Sequence, residues 1–342
     1  MRDNKAQIKG SFIQFDCDEY YRIENVHLME EFLMTLASDS SHWMFISSRG
    51  AVTAGRKNPD HSLFPYDTED RVSALRSVTG VKTAIRAHRS GKEHLWVPWS
   101  DIAVQQYGVR RNLLKNGAGC ELFFEESSQV LGLDLLYGWF FSRSYGFIKK
   151  ATLRNTGKRK VVLDIIDGLA NLINAGITQL LQKEFSCLTH AYKYNTLHSS
   201  GLAVFNLASL ITDKALPGEA LRATTCFQHG LQPAVIHLDG KALPAFLECR
   251  PFSGSRVVKG RQSDFFVQAS LELKPGEEKT WYIVSDVERT RVQVDDLIGL
   301  MEKAGKEGLA ELLEAERRKT RDNLRRIVGR GDGIQLTGDR RY

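Results

Sequence analysis

Between Ser48 and Arg71 the chain carries chemistry-bearing residue types at a density unusual for a connecting segment. Gly50 and Gly55 are interspersed with Arg56, Asn58, Asp60, His61, Tyr66, Asp67 and Asp70. Such mixtures bind sugars, because each hydroxyl needs a donor and an acceptor while the apolar ring face stacks on an aromatic. Arg56, Asp60, His61, Tyr66, Asp67 and Asp70 are therefore candidate substrate-binding residues. The competing reading is that these groups pair with one another and hold a long loop through ion pairs and Asx turns, and spacing alone favours it.

Other constellations are weaker. Two carboxylates working on a glycosidic bond must stand about 5 to 9 Å apart across a sugar. Asp164 and Asp167, three apart in an expected strand, point to opposite faces. Asp67 and Asp70 could approach each other only within a loop. His190 and His198 lack a third ligand, which favours ordinary packing over a metal. No serine sits in a Gly-x-Ser-x-Gly elbow, and neither Gly-x-Gly-x-x-Gly nor a Walker sequence follows a strand. No catalytic residue, metal ligand or cofactor is expected from these patterns.

The elements that would position these residues are mostly strands. From Val81 to Asp286, short runs of β-branched and aromatic residues alternate with Gly, Asn, Asp or Pro. Val81–His88 and Glu93–Trp99 flank a turn in which Gly91 supplies positive φ. Gly108–Lys115 and Cys120–Glu125 follow, then Gly132–Phe141, Tyr145–Leu153 and Lys160–Ile166, the last two joined through Asn155–Lys158. Asp264–Leu273 and Lys279–Val287 are joined through Lys274–Glu278 and read as a late hairpin. Successive long hairpins imply antiparallel sheets packed face to face. Helix is expected over His27–Leu36, where Leu28, Phe32, Leu33 and Leu36 share a face, and over Gly176–Lys183 as a short helix or irregular crossing. A charged pair of helices is expected after Val292, broken near Gly305 and Gly308, with an apolar stripe that must be buried against something.

Composition narrows the function classes. The chain has 342 residues, 42% hydrophobic and 26% charged, enough for one large β-domain or two smaller ones. No apolar run reaches the length of a membrane span, and Met1–Lys5 leads into a polar strand, so a cytoplasmic location is expected. Cys17, Cys120, Cys187, Cys226 and Cys249 form no Cys-x-x-Cys pair, which points to buried free thiols. Half of the net charge of +6 falls between residues 311 and 330. There, positive charge near a helix C-terminus and a favourable Glu314/Arg318 spacing favour a solvated or docking helix over nucleic-acid binding.

Ser48–Arg56 followed by Leu63–Asp70 resembles the N-terminal region of bacterial relatives of cellobiose phosphorylase, in the carbohydrate phosphorylase and glycosidase group. Tyr145–Asn155, Leu163–Asn171, Leu188–Lys193 and Ile211–Asp213 look like the group's sandwich domain, and Asp332–Asp339 like its entry into the catalytic domain. The resemblance implies a mainly β chain: an antiparallel, galactose-mutarotase-like supersandwich over 1–290, a helical linker over 291–330, and the start of an (α/α)6 catalytic domain over 331–342. No catalytic residue of the group carries over to a position here. The expected role is a non-catalytic module, inactive by itself, that supports a C-terminal catalytic barrel and dimerisation and borders or binds an oligosaccharide. Its expected partners are that barrel, a saccharide and a second copy, without nucleic acid or membrane. The alternatives are an autonomous aldose epimerase using one of His88, His94, His229 or His237 with a Glu base, or a stand-alone carbohydrate-binding module.

Overall fold

The computed structural model describes residues 7–89, 91–212, 218–303 and 308–331. Among them the strands form three antiparallel sheets. The large sheet runs, in spatial order, Lys9–Phe15, Asp18–Glu24, Val109–Asn116, Leu122–Ser128, Leu133–Ser142, Gly146–Asn155, Glu278–Arg289, Ala223–His229, Ala203–Leu207, Lys193–Leu197 and Val257–Lys259. A five-stranded sheet is ordered Ala234–His237, Ser263–Leu273, Val161–Leu172, Gly80–Arg89 and Lys92–Trp96. The remaining four strands, Leu33–Leu36, His42–Ser47, Val52–Arg56 and Ser62–Phe64, pair in chain order. One core unites all three: Met44, Val52 and Leu63 from the smallest sheet meet Ile85, Leu163 and Val267 from the second and Leu122, Trp139, Phe147 and Trp281 from the largest. Alternation of side chains along each strand places every second residue in that core. The molecule is thus mainly β with packed antiparallel sheets, as the strand pattern predicts, in the supersandwich form that the resemblance implies.

Two expected hairpins are crossings between sheets instead. Gly146–Asn155 belongs to the large sheet while Val161–Leu172 lies in the five-stranded one, and Ser263–Leu273 and Glu278–Arg289 are divided the same way. Asn155 locks these crossings together. Its side-chain amide donates to the carbonyls of Arg159 and Leu273, its backbone N–H donates to Glu277 O, and its carbonyl accepts from Gly276 N–H. Connections of five residues (156–160) and four residues (274–277) therefore change layers rather than reversing within one, a distinction that turn residues alone do not encode.

The expected helix over His27–Leu36 is absent. Leu28 sits exposed at the end of a 3₁₀ turn over Val26–Leu28, and Leu33–Leu36 pairs as a strand with His42–Ser47. Four apolar residues fit either period over so short a stretch, and strand pairing decided it. The 48–71 stretch is likewise mostly structured, with two strands, a 3₁₀ turn at Pro59–His61 and a short helix at Glu69–Val72. The crossing after Gly176 contains helix Gln179–Glu184. Gly91 adopts φ +75° in the turn expected of it. Of the cysteines, Cys120 and Cys226 are buried, but Cys17 and Cys249 are exposed; burial raises the Cys120 thiol to about 11.

Helices Arg291–Lys303 and Gly308–Gly331 lie on the outer face of the large sheet, where Leu297, Leu309 and Leu313 pack on Phe140, Ile148, Phe227 and Val284. Gly305 and the 332–339 stretch lie outside the described residues. Arg317, Arg321 and Arg325, one face of the last helix, turn onto the sheet. Arg317 donates to Glu121 at 2.6 Å and to the Tyr20 hydroxyl at 2.9 Å, while Arg321 and Arg325 pair with Asp18. Burial works against the Arg317 charge, but Glu121 and Tyr20 outweigh it and hold the guanidinium above its ordinary value. Glu314 bonds Tyr282 and pairs with Lys150 and Arg317. Among the described residues no helix is long and apolar enough to cross a membrane.

Candidate functional site

A cavity of about 380 Å³ opens where the three sheets meet, with Arg49, Lys82, Trp99, Asp101 and Tyr137 among its lining residues. Each comes from a different piece of the fold. Arg49 and Gly50 form the turn between His42–Ser47 and Val52–Arg56; the Ser47 hydroxyl accepts from the Arg49 and Ala51 N–H groups, and Gly50 N–H donates to Ser47 O. Gly50 has φ +88°, and a β-carbon there would stand 3.2 Å from the Tyr137 hydroxyl, so conformation and space both call for glycine. Lys82 and Thr83 begin the strand Gly80–Arg89. Tyr137 lies mid-strand in the large sheet, stacked on Phe124 with ring centroids 4.9 Å apart.

Trp99 is the most constrained member. It follows Val97-Pro98, adopts the left-handed φ of +61°, and is nevertheless only 8% exposed. For a bulky residue that conformation persists only when its surroundings impose it. Buried Glu126 does so, accepting from Trp99 N–H at 2.8 Å, Trp96 Nε1 at 2.6 Å and Arg111 Nε at 2.6 Å. Phe124 meets the indole edge-on and the Arg111 guanidinium lies over it at 5.3 Å. Ser100 then caps the helix Asp101–Tyr107. An adjoining cavity of about 270 Å³ shares Arg49, Trp99 and Asp101 and adds His27 and Arg111. Burial, then the charge of Arg111, lowers the His27 pKa below its ordinary value.

Two polar groups of the lining residues make no hydrogen bond among the described residues: the buried Trp99 indole N–H and the Tyr137 hydroxyl. Buried donors are nearly always satisfied, so an unbonded indole N–H and an unbonded hydroxyl among its lining residues make this cavity a candidate for a polar ligand. Lys82 donates to the carbonyls of Arg76 at 2.5 Å and Thr79 at 2.9 Å, leaving one ammonium proton for the cavity. Burial, aided by the charge of Arg76, pushes its pKa down to about 8.

The residues singled out from the sequence lie apart from this cavity. Arg56 bonds Ser41 and Asp286 at 3.2 and 3.0 Å, joining His42 and Arg289 around that buried carboxylate. Asp60 accepts from Gln179 N–H at the start of a helix. His61 bonds Asn58 at 2.7 Å, and Tyr66 meets Trp43 edge-on at 5.6 Å. Asp67 is half-buried, and the Asp70 side chain lies outside the described residues. Among the histidines, His88 stands exposed on the outer face of the five-stranded sheet, 2.8 Å from Asp164 and 4.0 Å from Glu93. His237 is buried against Phe252 and 3.3 Å from Gln268. Asp164 and Asp167 do face opposite sides: Asp167 is buried in the core against Lys149, Thr83 and Trp281.

Of the residues that line this cavity, sequence reasoning singled out Gly50 but not Arg49, Lys82, Trp99 or Tyr137. A signal existed for two of them. Pro98 cannot continue a central strand, so the tryptophan after it had to leave the sheet. Tyr137 shares the core face with Leu135 and Trp139, where a hydroxyl needs an answer.

No protein-family model matches the chain, and no curated protein matches it in sequence. Solved structures with a similar arrangement include a bacterial glucoamylase complexed with acarbose, at TM-score 0.48 and 10% identity over 88% of this chain and 39% of that one. A GalM/aldose epimerase homologue from C. elegans matches at TM-score 0.42 and 10% identity, over 77% of this chain and all of that one. A protein provisionally assigned as a kojibiose phosphorylase from human microbiome matches at TM-score 0.41 and 10% identity, over 89% of this chain and 32% of its own. This chain thus spans 39% and 32% of the two larger proteins. Likenesses this distant bear on the arrangement of strands and carry no argument about activity.

Proposed function

We propose that the chain is a non-catalytic carbohydrate-binding sandwich module of a carbohydrate-active enzyme, with the Trp99–Tyr137 cavity as its sugar site. The observation that carries this reading is that two polar groups of the cavity's lining residues, the Trp99 indole N–H and the Tyr137 hydroxyl, have no hydrogen-bond partner among the described residues. A pyranose supplies what they lack, hydroxyl acceptors on its edge and C–H groups on its face. The helices on the far face of the large sheet fit a supporting role toward a further domain.

The epimerase alternative requires an acid and a base on one sugar. Of the candidate histidines, His88 has carboxylate neighbours but stands exposed on the opposite side of the five-stranded sheet from the core, whereas His27 and Asp101 line the adjoining cavity. Polarimetry of freshly dissolved glucose and galactose should show mutarotation at the buffer rate. Acceleration abolished by His27→Gln would make the chain an enzyme.

Calorimetric titration of mono- and disaccharides at millimolar concentration tests the binding reading. Binding is expected to weaken roughly 2- to 12-fold in Tyr137→Phe, the range for one lost neutral hydrogen bond, with thermal stability unchanged. Absence of any binding heat or thermal shift across the saccharide panel would refute the assignment.

A further inference from the structure

The charges around the cavity do not balance. Arg49, Arg76, Lys82 and Asp101 all line it, and Arg76 is matched by Asp101 at 3.3 Å. That leaves two cations. Lys82 is held by backbone carbonyls, with no carboxylate in contact. The half-buried Arg49 has no side-chain hydrogen-bond or ion-pair partner among the described residues, whereas the fully buried Arg111 is paired with Glu126 and Arg317 with Glu121; half-buried Arg89 likewise has unbonded guanidinium nitrogens. An arginine fork without its carboxylate, fixed on a short turn by Ser47 and beside two unpartnered neutral donors, is a ready receptor for an anion.

We propose that the cavity takes a saccharide bearing an anionic group, a uronate carboxylate or a phosphate ester, with the anion on Arg49 and Lys82 and the sugar against Trp99 and Tyr137. This rests on the sugar-site reading and narrows its ligand class. Tyr137 and Trp99 donate to neutral oxygens, so they orient the ring, while the two cations discriminate between acidic and neutral sugars that are otherwise the same size. Such discrimination is strong, because a neutral analogue leaves the cations without the anion and gains nothing in return.

The test compares matched ligands by calorimetry with the full chain: glucose with glucuronate and glucose 6-phosphate, galactose with galacturonate, and inorganic phosphate and acetate as anions without a sugar. Acidic sugars should bind at least about tenfold tighter than their neutral partners, the scale of one charge-assisted hydrogen bond. Their advantage should shrink as salt rises. Arg49→Gln, a change at a half-buried turn position, should cost the acidic sugars clearly more affinity than their neutral partners. The carboxylate and phosphate arms then tell which anion is preferred. Equal affinity for neutral and acidic sugars, or an equal loss for both in Arg49→Gln, overturns the inference while the sugar site stands. Phosphate or acetate binding as tightly as the sugar acids removes the saccharide from the proposal and the sugar-site reading with it. Binding by none of these ligands sinks both.

Discussion

Lys149 and Asp167 face each other inside the sandwich with bonds of 2.5 and 2.6 Å, each about 1% exposed. Burial lowers the Lys149 pKa despite the neighbouring carboxylate, which measures how poor a place for charge this is. Removing one partner strands the other. Lys149→Met should therefore destabilise the fold by about 3–5 kcal/mol, and Lys149→Met with Asp167→Asn, which keeps an acceptor for Trp281, should recover part of that loss in urea denaturation. Equal stability of the single and double variants would contradict the pairing. Asp286 has a pH signature. Burial pushes its carboxyl up, but His42, Arg289 and Arg56 outweigh burial and hold it below the ordinary 3.8. A depressed folded pKa gives stability that is complete above the unfolded value and lost as pH falls through the folded one. Unfolding midpoints should thus drop below about pH 4, and Asp286→Asn should flatten that acid limb; an unchanged limb would show that other carboxylates control it. None of this was visible in sequence. Arg56 read as a ligand donor because its partner stands 230 residues away, and long-range ion pairs leave no local trace.

At the scale of elements, periodicity was a good guide to strands and a poor one to their partners. The nine strands named from alternation and turn residues between Val81 and Val287 are present, five between Lys193 and Lys259 were not named, and two tight connections that read as hairpins cross between sheets. The reason is Asn155, whose bonds to Arg159, Leu273 and Glu277 are available only once both crossings are in place. The last helix was legible for the opposite reason: its apolar stripe is local, and Leu309, Leu313 and Leu324 all become buried. Leu313 is fully buried between helix and sheet. Leu313→Ala should cost about 2–5 kcal/mol, with Arg318→Ala on the same helix near neutral, as measured by chemical denaturation. A near-neutral Leu313→Ala would mean that the helix leaves the sheet in solution. The Arg-rich character of this segment has a plain physical role, since Arg317, Arg321 and Arg325 meet Glu121 and Asp18 across the interface.

Across the whole molecule, three sheets share one core and leave a cavity at their junction. A junction of this kind is where unpaired donors can survive, because no single sheet's hydrogen-bond ladder reaches them. It is also why the site was hard to read in advance. Arg49, Lys82, Trp99 and Tyr137 sit in four separate stretches of sequence, and only tertiary pairing brings them together. The packing of antiparallel sheets, by contrast, follows from alternation alone, and the supersandwich form from the family resemblance.

The order of the large sheet carries a consequence for how the chain acquires its structure. Six strands from the first 155 residues form one block, four strands from residues 193–259 form another, and Glu278–Arg289 is the single ribbon between them. On a ribosome the two blocks emerge with their facing edges open, and the seam closes only when a segment more than 120 residues after its partner Gly146–Asn155 arrives. Pairings of such sequence separation are slow to form, and exposed edges invite association meanwhile. The central strand therefore sets the time during which a nascent chain is most vulnerable to aggregation.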